Sequence, residues 1–184
     1  MSKFFSNYSL TKIALFVALI SIGAFISVPM YPVPITFQNF FVIMAALLLT
    51  PIEAFTTVVV YILLGLVGLP IFSGLRGGLS YVFVPSFGFL IGFAIGAYVI
   101  SKIVENNFSK NNIIISMIVG EIIFYIVGLT YMYFCLKHLN KLPDNFITLF
   151  KIGMIPFIPG DIIKMVIALL IAPRIKEYIK KTLR

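Results

Sequence analysis

Asp161 and Lys164 sit three residues apart in PFIPGDIIK, residues 156–164, at the head of an apolar stretch that runs to Ala172. On a helix this spacing puts an acid and a base on one face. Within apolar sequence both are costly, so each must meet a partner, a cavity or a ligand. Two readings stay open. In one, the residues form a self-satisfied ion pair, with Asp161 capping the helix. In the other, they are two separate contacts, Lys164 for a ligand anion and Asp161 for the N–H donors of a polar head. Desolvation consumes most of the Coulomb gain of a buried pair, which favours the ligand reading. A charged pair at a break in a membrane helix is itself a pointer to a ligand site.

Two further segments carry polar groups in apolar surroundings. PVPITFQN, residues 32–39, places Thr36, Gln38 and Asn39 at the mouth of an apolar run. They form either a helix start, proline being favoured in the first turn and threonine as a cap, or hydrogen-bonding groups for a neutral ligand head. LVGLPIFSGLRGGLSYVF, residues 66–83, holds Gly68, Gly74, Gly77 and Gly78, with Arg76 as its one charge. It reads as a re-entrant turn with Arg76 reaching the interface, or as a pocket lining flanked by Phe72 and Tyr81. No lysine follows these glycines, so they are not a nucleotide-phosphate loop.

The remaining candidates are sparser. Gly88, Gly92 and Gly96 recur every fourth residue, a small-residue face for close helix packing. Ala14 and Ala18 make a similar pair, for packing or for docking a membrane subunit. Glu121 lies within an apolar run and is expected to face inward, hydrogen-bonded or protonated. His138 has no second metal ligand at useful spacing, and the single Cys135 excludes an intramolecular disulfide. No metal site or cofactor is expected.

The elements that position these residues follow from composition. The 184-residue chain is 61% hydrophobic and 11% charged, with a mean hydropathy of +1.12. That is the composition of a polytopic membrane protein. Its length allows one transmembrane domain over residues 1–184. Six spans can be drawn, Leu10–Val28, Thr36–Thr50, Ala54–Leu69, Tyr81–Ile103, Ile113–Leu136 and a sixth from Asp161 through Ala172 to about residue 182. At ~1.5 Å per residue the second and third fall short of a ~30 Å hydrocarbon core. For the sixth, either Ile147–Ile155 supplies the missing depth or the site at Asp161 is recessed. The N-terminal run leads from Lys12 into a proline-rich loop without an A-x-A site, so a cleaved signal is not expected.

Charge placement orients the chain. With both ends inside, the inner side holds nine cations: Lys3, Lys12, Lys102, Lys110, Arg174, Lys176, Lys180, Lys181 and Arg184. The outer side holds four, Arg76, Lys137, Lys141 and Lys151. This favours cytoplasmic N- and C-termini. The net charge of +8 therefore reflects topology rather than nucleic-acid binding. The two loops and the entry to the sixth span then share the outer side. Irregular backbone at membrane depth needs protein or a water-filled cavity around it, so an outward-facing pocket is expected there.

PVPITFQN, LGLVGLPIFSGLRGG, PSFGFLIGF and PFIPGDIIK, in that order, resemble the BioY family of biotin-specific substrate-binding (S) components of energy-coupling-factor (ECF) transporters. The resemblance spans nearly the whole chain. One departure is Ser86-Phe87-Gly88, where the family pattern is expected to read Thr-Gly-Gly. The resemblance implies an all-α, six-helix S-component bundle in a prokaryotic cell membrane, with a high-affinity biotin pocket near the outer face. It implies a transmembrane coupling (T) subunit and two ABC-type ATPases as partners, with Ala14 and Ala18 as the docking motif, and no enzymatic activity in this chain. For biotin, Lys164 is the expected partner of the carboxylate. Asp161, Gln38 and Asn39 suit the ureido ring, Phe72 and Tyr81 the apolar walls, and Thr36, Arg76, Gly77 and Gly78 complete the expected site. The alternative is a self-sufficient facilitator or proton-coupled carrier, with Glu121 and Asp161 titrating.

Overall fold

The computed structural model describes residues 7–141 and 146–182. Lys3 and Arg184, counted above on the inner side, lie outside the described residues. Helix α1 (Asn7–Phe25) leads into a short antiparallel ribbon, β1 (Ser27–Val28) with β2 (Ile35–Thr36), in which Ser27 pairs with Thr36. Then follow α2 (Gln38–Leu48), α3 (Pro51–Val67), a 3-10 turn (Leu79–Phe83), α4 (Phe87–Val104), α5 (Lys110–His138), α6 (Phe146–Gly153) and α7 (Ile158–Thr182).

Six apolar helical units result among the described residues. Helices α1, α4 and α5 are long and apolar enough to span, and α6 with α7 meet the same measure as a pair bent by 46°. Helices α2 and α3 are shorter, 11 and 17 residues. At 1.5 Å per residue they rise only ~16 and ~25 Å.

Several boundaries differ from those read in the sequence. Pro51 does not only end the second span; it opens the third. Thr50 accepts a hydrogen bond from the Glu53 amide while the Glu53 carboxylate accepts one from the Thr50 amide, a capping box that starts α3 at Pro51. Residues 81–83 belong to the 3-10 turn, and α4 starts only at Phe87. Helix α7 starts at Ile158, so Pro159 and Gly160 lie in its first turn, where proline's missing N–H costs nothing.

Helices α4 and α5 meet through glycine. A Cβ on Gly88 would lie 2.1 Å from the Tyr131 side chain, and one on Gly96 would lie 2.3 Å from the Phe124 ring. On the facing helix, Gly120 and Gly128 take Ile100 and Phe89 in the same way. The four-residue recurrence is thus a packing face that lets large rings cover bare backbone.

The two ends of the bundle differ. At one end Lys12 on α1 bridges Glu53 on α3 at 2.9 Å. Ser101 on α4 donates to the Leu49 carbonyl at 2.7 Å, and the Lys176 ammonium sits 3.6 Å from the centroid of the Phe108 ring. This end gathers the described cations assigned above to the inner side. The ribbon, the 68–86 loop and the α6–α7 break lie at the other end.

Candidate functional site

The ribbon and the first turn of α2 bring Thr36, Gln38 and Asn39 against the head of α7. Lys164 donates to three acceptors: the Thr36 carbonyl at 2.8 Å, Asn39 Oδ1 at 2.7 Å and Asp161 Oδ1 at 3.1 Å. An ammonium has three N–H donors, so all are engaged. Asn39 Nδ2 donates in turn to Asp161 Oδ1 at 2.7 Å and, more weakly, to Glu121 Oε1 at 3.4 Å. The Tyr125 hydroxyl on α5 donates to Asp161 Oδ2. Asn39, Asp161, Lys164 and Glu121 are all buried.

In the described structure Asp161 and Lys164 form a salt bridge, completed by Asn39 and Thr36. Because every partner is hydrogen-bonded, the network meets the condition under which buried charge is tolerated. Tyr125 escaped the sequence reading. Its signal is its place one turn after Glu121 on the same buried face of α5.

Two chambers adjoin the network at the loop end. The inner one, ≈ 60 Å³, is lined by Thr36, Gln38, Tyr81, Ser86 and Phe93, among others. The outer one, ≈ 330 Å³, is lined by the ribbon loop, Gly74, Arg76 and Val84. Both share Pro34, Ser73, Tyr81 and Ser86. Tyr81 and Ser86 face each other, hydroxyl to hydroxyl, at 3.3 Å, and so stand where the chambers meet. Among the described buried side-chain polar atoms, Gln38 Nε2 alone has no hydrogen-bond partner.

The remaining expected site residues divide. Arg76 is exposed, lines the outer chamber and has no carboxylate partner among the described residues. Phe72 is not a chamber wall. It is fully buried, its ring centroid 4.4 Å from that of Tyr81 and 5.5 Å from that of Tyr61, and it braces Tyr81 from behind. Gly77 and Gly78 line neither chamber. Gly78, at φ +94°, donates its amide to the Gly65 carbonyl at 2.7 Å, and a Cβ on Gly77 would strike the Leu69 carbonyl at 2.3 Å. Their role is to fold the loop that carries Arg76. Ala14 and Ala18 are exposed on α1, turned away from the bundle core.

Two larger apolar grooves, ≈ 490 Å³ along α5 and α6 and ≈ 510 Å³ between α1, α2 and α7, run along the flanks of the bundle. Neither gathers charged and amide groups as the loop-end chambers do. Among the described residues no His, Cys, Asp and Glu side chains cluster to hold a metal ion.

Comparison with known proteins gives this arrangement a family. The chain is 39% identical to a probable biotin transporter BioY of Lysinibacillus sphaericus, over 98% of this chain and 92% of that protein. It is 38% identical to the biotin transporter BioY of Thermotoga maritima, over 91% and 95%. Its fold is similar to a crystal structure of the S-component for biotin from an ECF-type ABC transporter. The TM-score is 0.80 at 28% identity, covering 94% and 95% of the two chains. The S component of a bacterial ECF transporter shares the fold at a TM-score of 0.58 and 19% identity, covering 97% and 98%. The all-α bundle is thus an S-component fold. The BioY family model matches residues 1–181, and the chain belongs to the BioY family.

Proposed function

We propose that this chain is the high-affinity biotin-binding subunit of an ATP-driven ECF-type uptake transporter, working as one multi-pass unit in a prokaryotic cell membrane. The observation that carries this reading is the joint occurrence of family membership, a buried amide–carboxylate–ammonium network and a polar-lined cavity at one end of the bundle.

The geometry favours one pose over the other. All three donors of Lys164 are engaged inside the protein, whereas Arg76 lines the larger chamber with no carboxylate partner among the described residues. Guanidinium is the better fork for a carboxylate. Biotin's carboxylate therefore goes to Arg76, not to Lys164. The ureido ring, with N–H donors and a carbonyl acceptor, goes to the inner end, where Thr36 and Gln38 stand in front of Asn39, Asp161 and Lys164. Tyr81 and Ser86 flank the thiophane ring and chain. The outer chamber already has the size of a small-molecule site, about 300 Å³ and upward.

Both termini lie in the cytoplasm, because the described cations concentrate at the end away from the chambers. The chambers then face outward. With no phosphate loop in the sequence, energy comes from partners: a T subunit and two ABC-type ATPases. The exposed small-residue face at Ala14 and Ala18 is where the T subunit docks. Equilibrium binding of labelled biotin to the purified chain tests the reading.

A further inference from the structure

Glu121 takes no part in the biotin pose above, yet it lies 9% exposed in the same cluster. It faces Asp161 and Lys164 from α7, Asn39 from α2 and Tyr125 one turn along its own helix. Helix α4 presents glycine and apolar side chains there, such as Gly96 and Ile100 beside Gly120. The charged pair of α4 and its exit, Lys102 and Glu105, is bridged to itself at the far end.

Two carboxyl groups therefore share one ammonium. If all three were ionised, the cluster would hold an unbalanced negative charge at membrane depth, where such charge is expensive. Two carboxylates in one site do not both ionise readily. The hydrogen bonds show which one is the anion. Asp161 accepts from Asn39, Lys164 and Tyr125. Among the described residues Glu121 accepts a single bond, the 3.4 Å contact from Asn39, whose amide is closer to Asp161 at 2.7 Å. We propose that the cluster binds one proton and that Glu121 carries it as a neutral carboxylic acid in the ligand-binding form of the protein. The proton is a second ligand of the site. Removing it creates a second anion that competes with Asp161 for Asn39 and Lys164, and so loosens the Thr36 and Asn39 end of the pocket.

Infrared spectroscopy of the purified, lipid-reconstituted chain reads this directly. The wild type should show the C=O stretch of a protonated carboxyl group at neutral pH, shifted by deuterium exchange and absent from Glu121→Gln. No such band in the wild type, or its persistence in Glu121→Gln, overturns the proposal. Where Glu121→Gln does not fold, Glu121→Asp serves instead: the band should shift in frequency, and an unshifted band overturns the proposal. A folded Glu121→Gln, which mimics the neutral acid, should hold biotin to within about threefold of the wild type, a difference of ~0.7 kcal/mol. It should also lose the wild type's weakening at alkaline pH. A folded variant that no longer binds biotin contradicts the proposal. A wild type that shows the band but binds no biotin rejects the proposed function and leaves the proton on Glu121.

Discussion

Asn39 on α2 donates to Asp161 Oδ1 on α7 across 2.7 Å, and this bond joins the two helices. The same amide accepts from Lys164 through its other end, so one neutral side chain reads both members of an ion pair. An amide has both a donor and an acceptor end, which is why asparagine can close this network where a third charge could not.

Removal of the ammonium should be severe. Lys164→Met leaves Asp161 buried without its cation, at a cost of about 3–5 kcal/mol. Asp161→Asn should cost less, because the Glu121 carboxyl of the same cluster stays to balance Lys164. Thermal unfolding in detergent should fall sharply for Lys164→Met, and the double variant Asp161→Asn/Lys164→Met should recover much of the loss without recovering ligand binding. Lys164→Met as stable as the wild type would show that the cluster carries no such charge.

Arg76 is exposed and outside the network, so its removal should leave the fold intact. Arg76→Ala should weaken biotin by about tenfold or more, ~1.4 kcal/mol, and leave biotin methyl ester nearly unchanged. Lys164→Met should weaken both ligands alike. The opposite pattern would return the carboxylate to Lys164.

How much of this was legible in the sequence depends on how rare a residue type is in its context. Asp161, Lys164, Gln38 and Asn39 stand out because charge and amide are scarce in apolar sequence, and the structure gathers them at one end. Tyr125 does not stand out, being one of nine tyrosines in an aromatic-rich chain. Phe72, Gly77 and Gly78 announce a folded loop, but residue type does not say which face of a loop meets a cavity. The six apolar units were readable from hydropathy. Their edges were not, because Pro51 both stops one helix and starts the next, and only the Thr50–Glu53 capping box tells the two apart.

The glycine face between α4 and α5 was readable as packing, and it makes a stability prediction. Gly96→Leu puts a side chain where the Phe124 ring sits 2.3 Å from the Cβ position. Overpacking of that kind costs about 1–3 kcal/mol. A lowered midpoint of thermal unfolding is expected, while Gly160→Ala, with open space around its Cβ position, should leave it nearly unchanged.

Ala14 and Ala18 should behave in the opposite way. Both are exposed, so Ala14→Trp and Ala18→Trp should preserve stability and biotin binding. Co-purification with the proposed T subunit and ATPases should be lost, since a bulky ring prevents close helix approach. Retained assembly with both variants would move the docking surface elsewhere on the bundle.

The most direct test of the central claim is equilibrium dialysis of labelled biotin against the purified chain alone, without partner subunits. Saturable binding of one biotin per chain with a Kd below about 1 μM, more than ~8 kcal/mol, is predicted. It should be displaced by unlabelled biotin and only weakly by the methyl ester. No saturable binding at micromolar biotin by a folded, monodisperse chain would contradict the account.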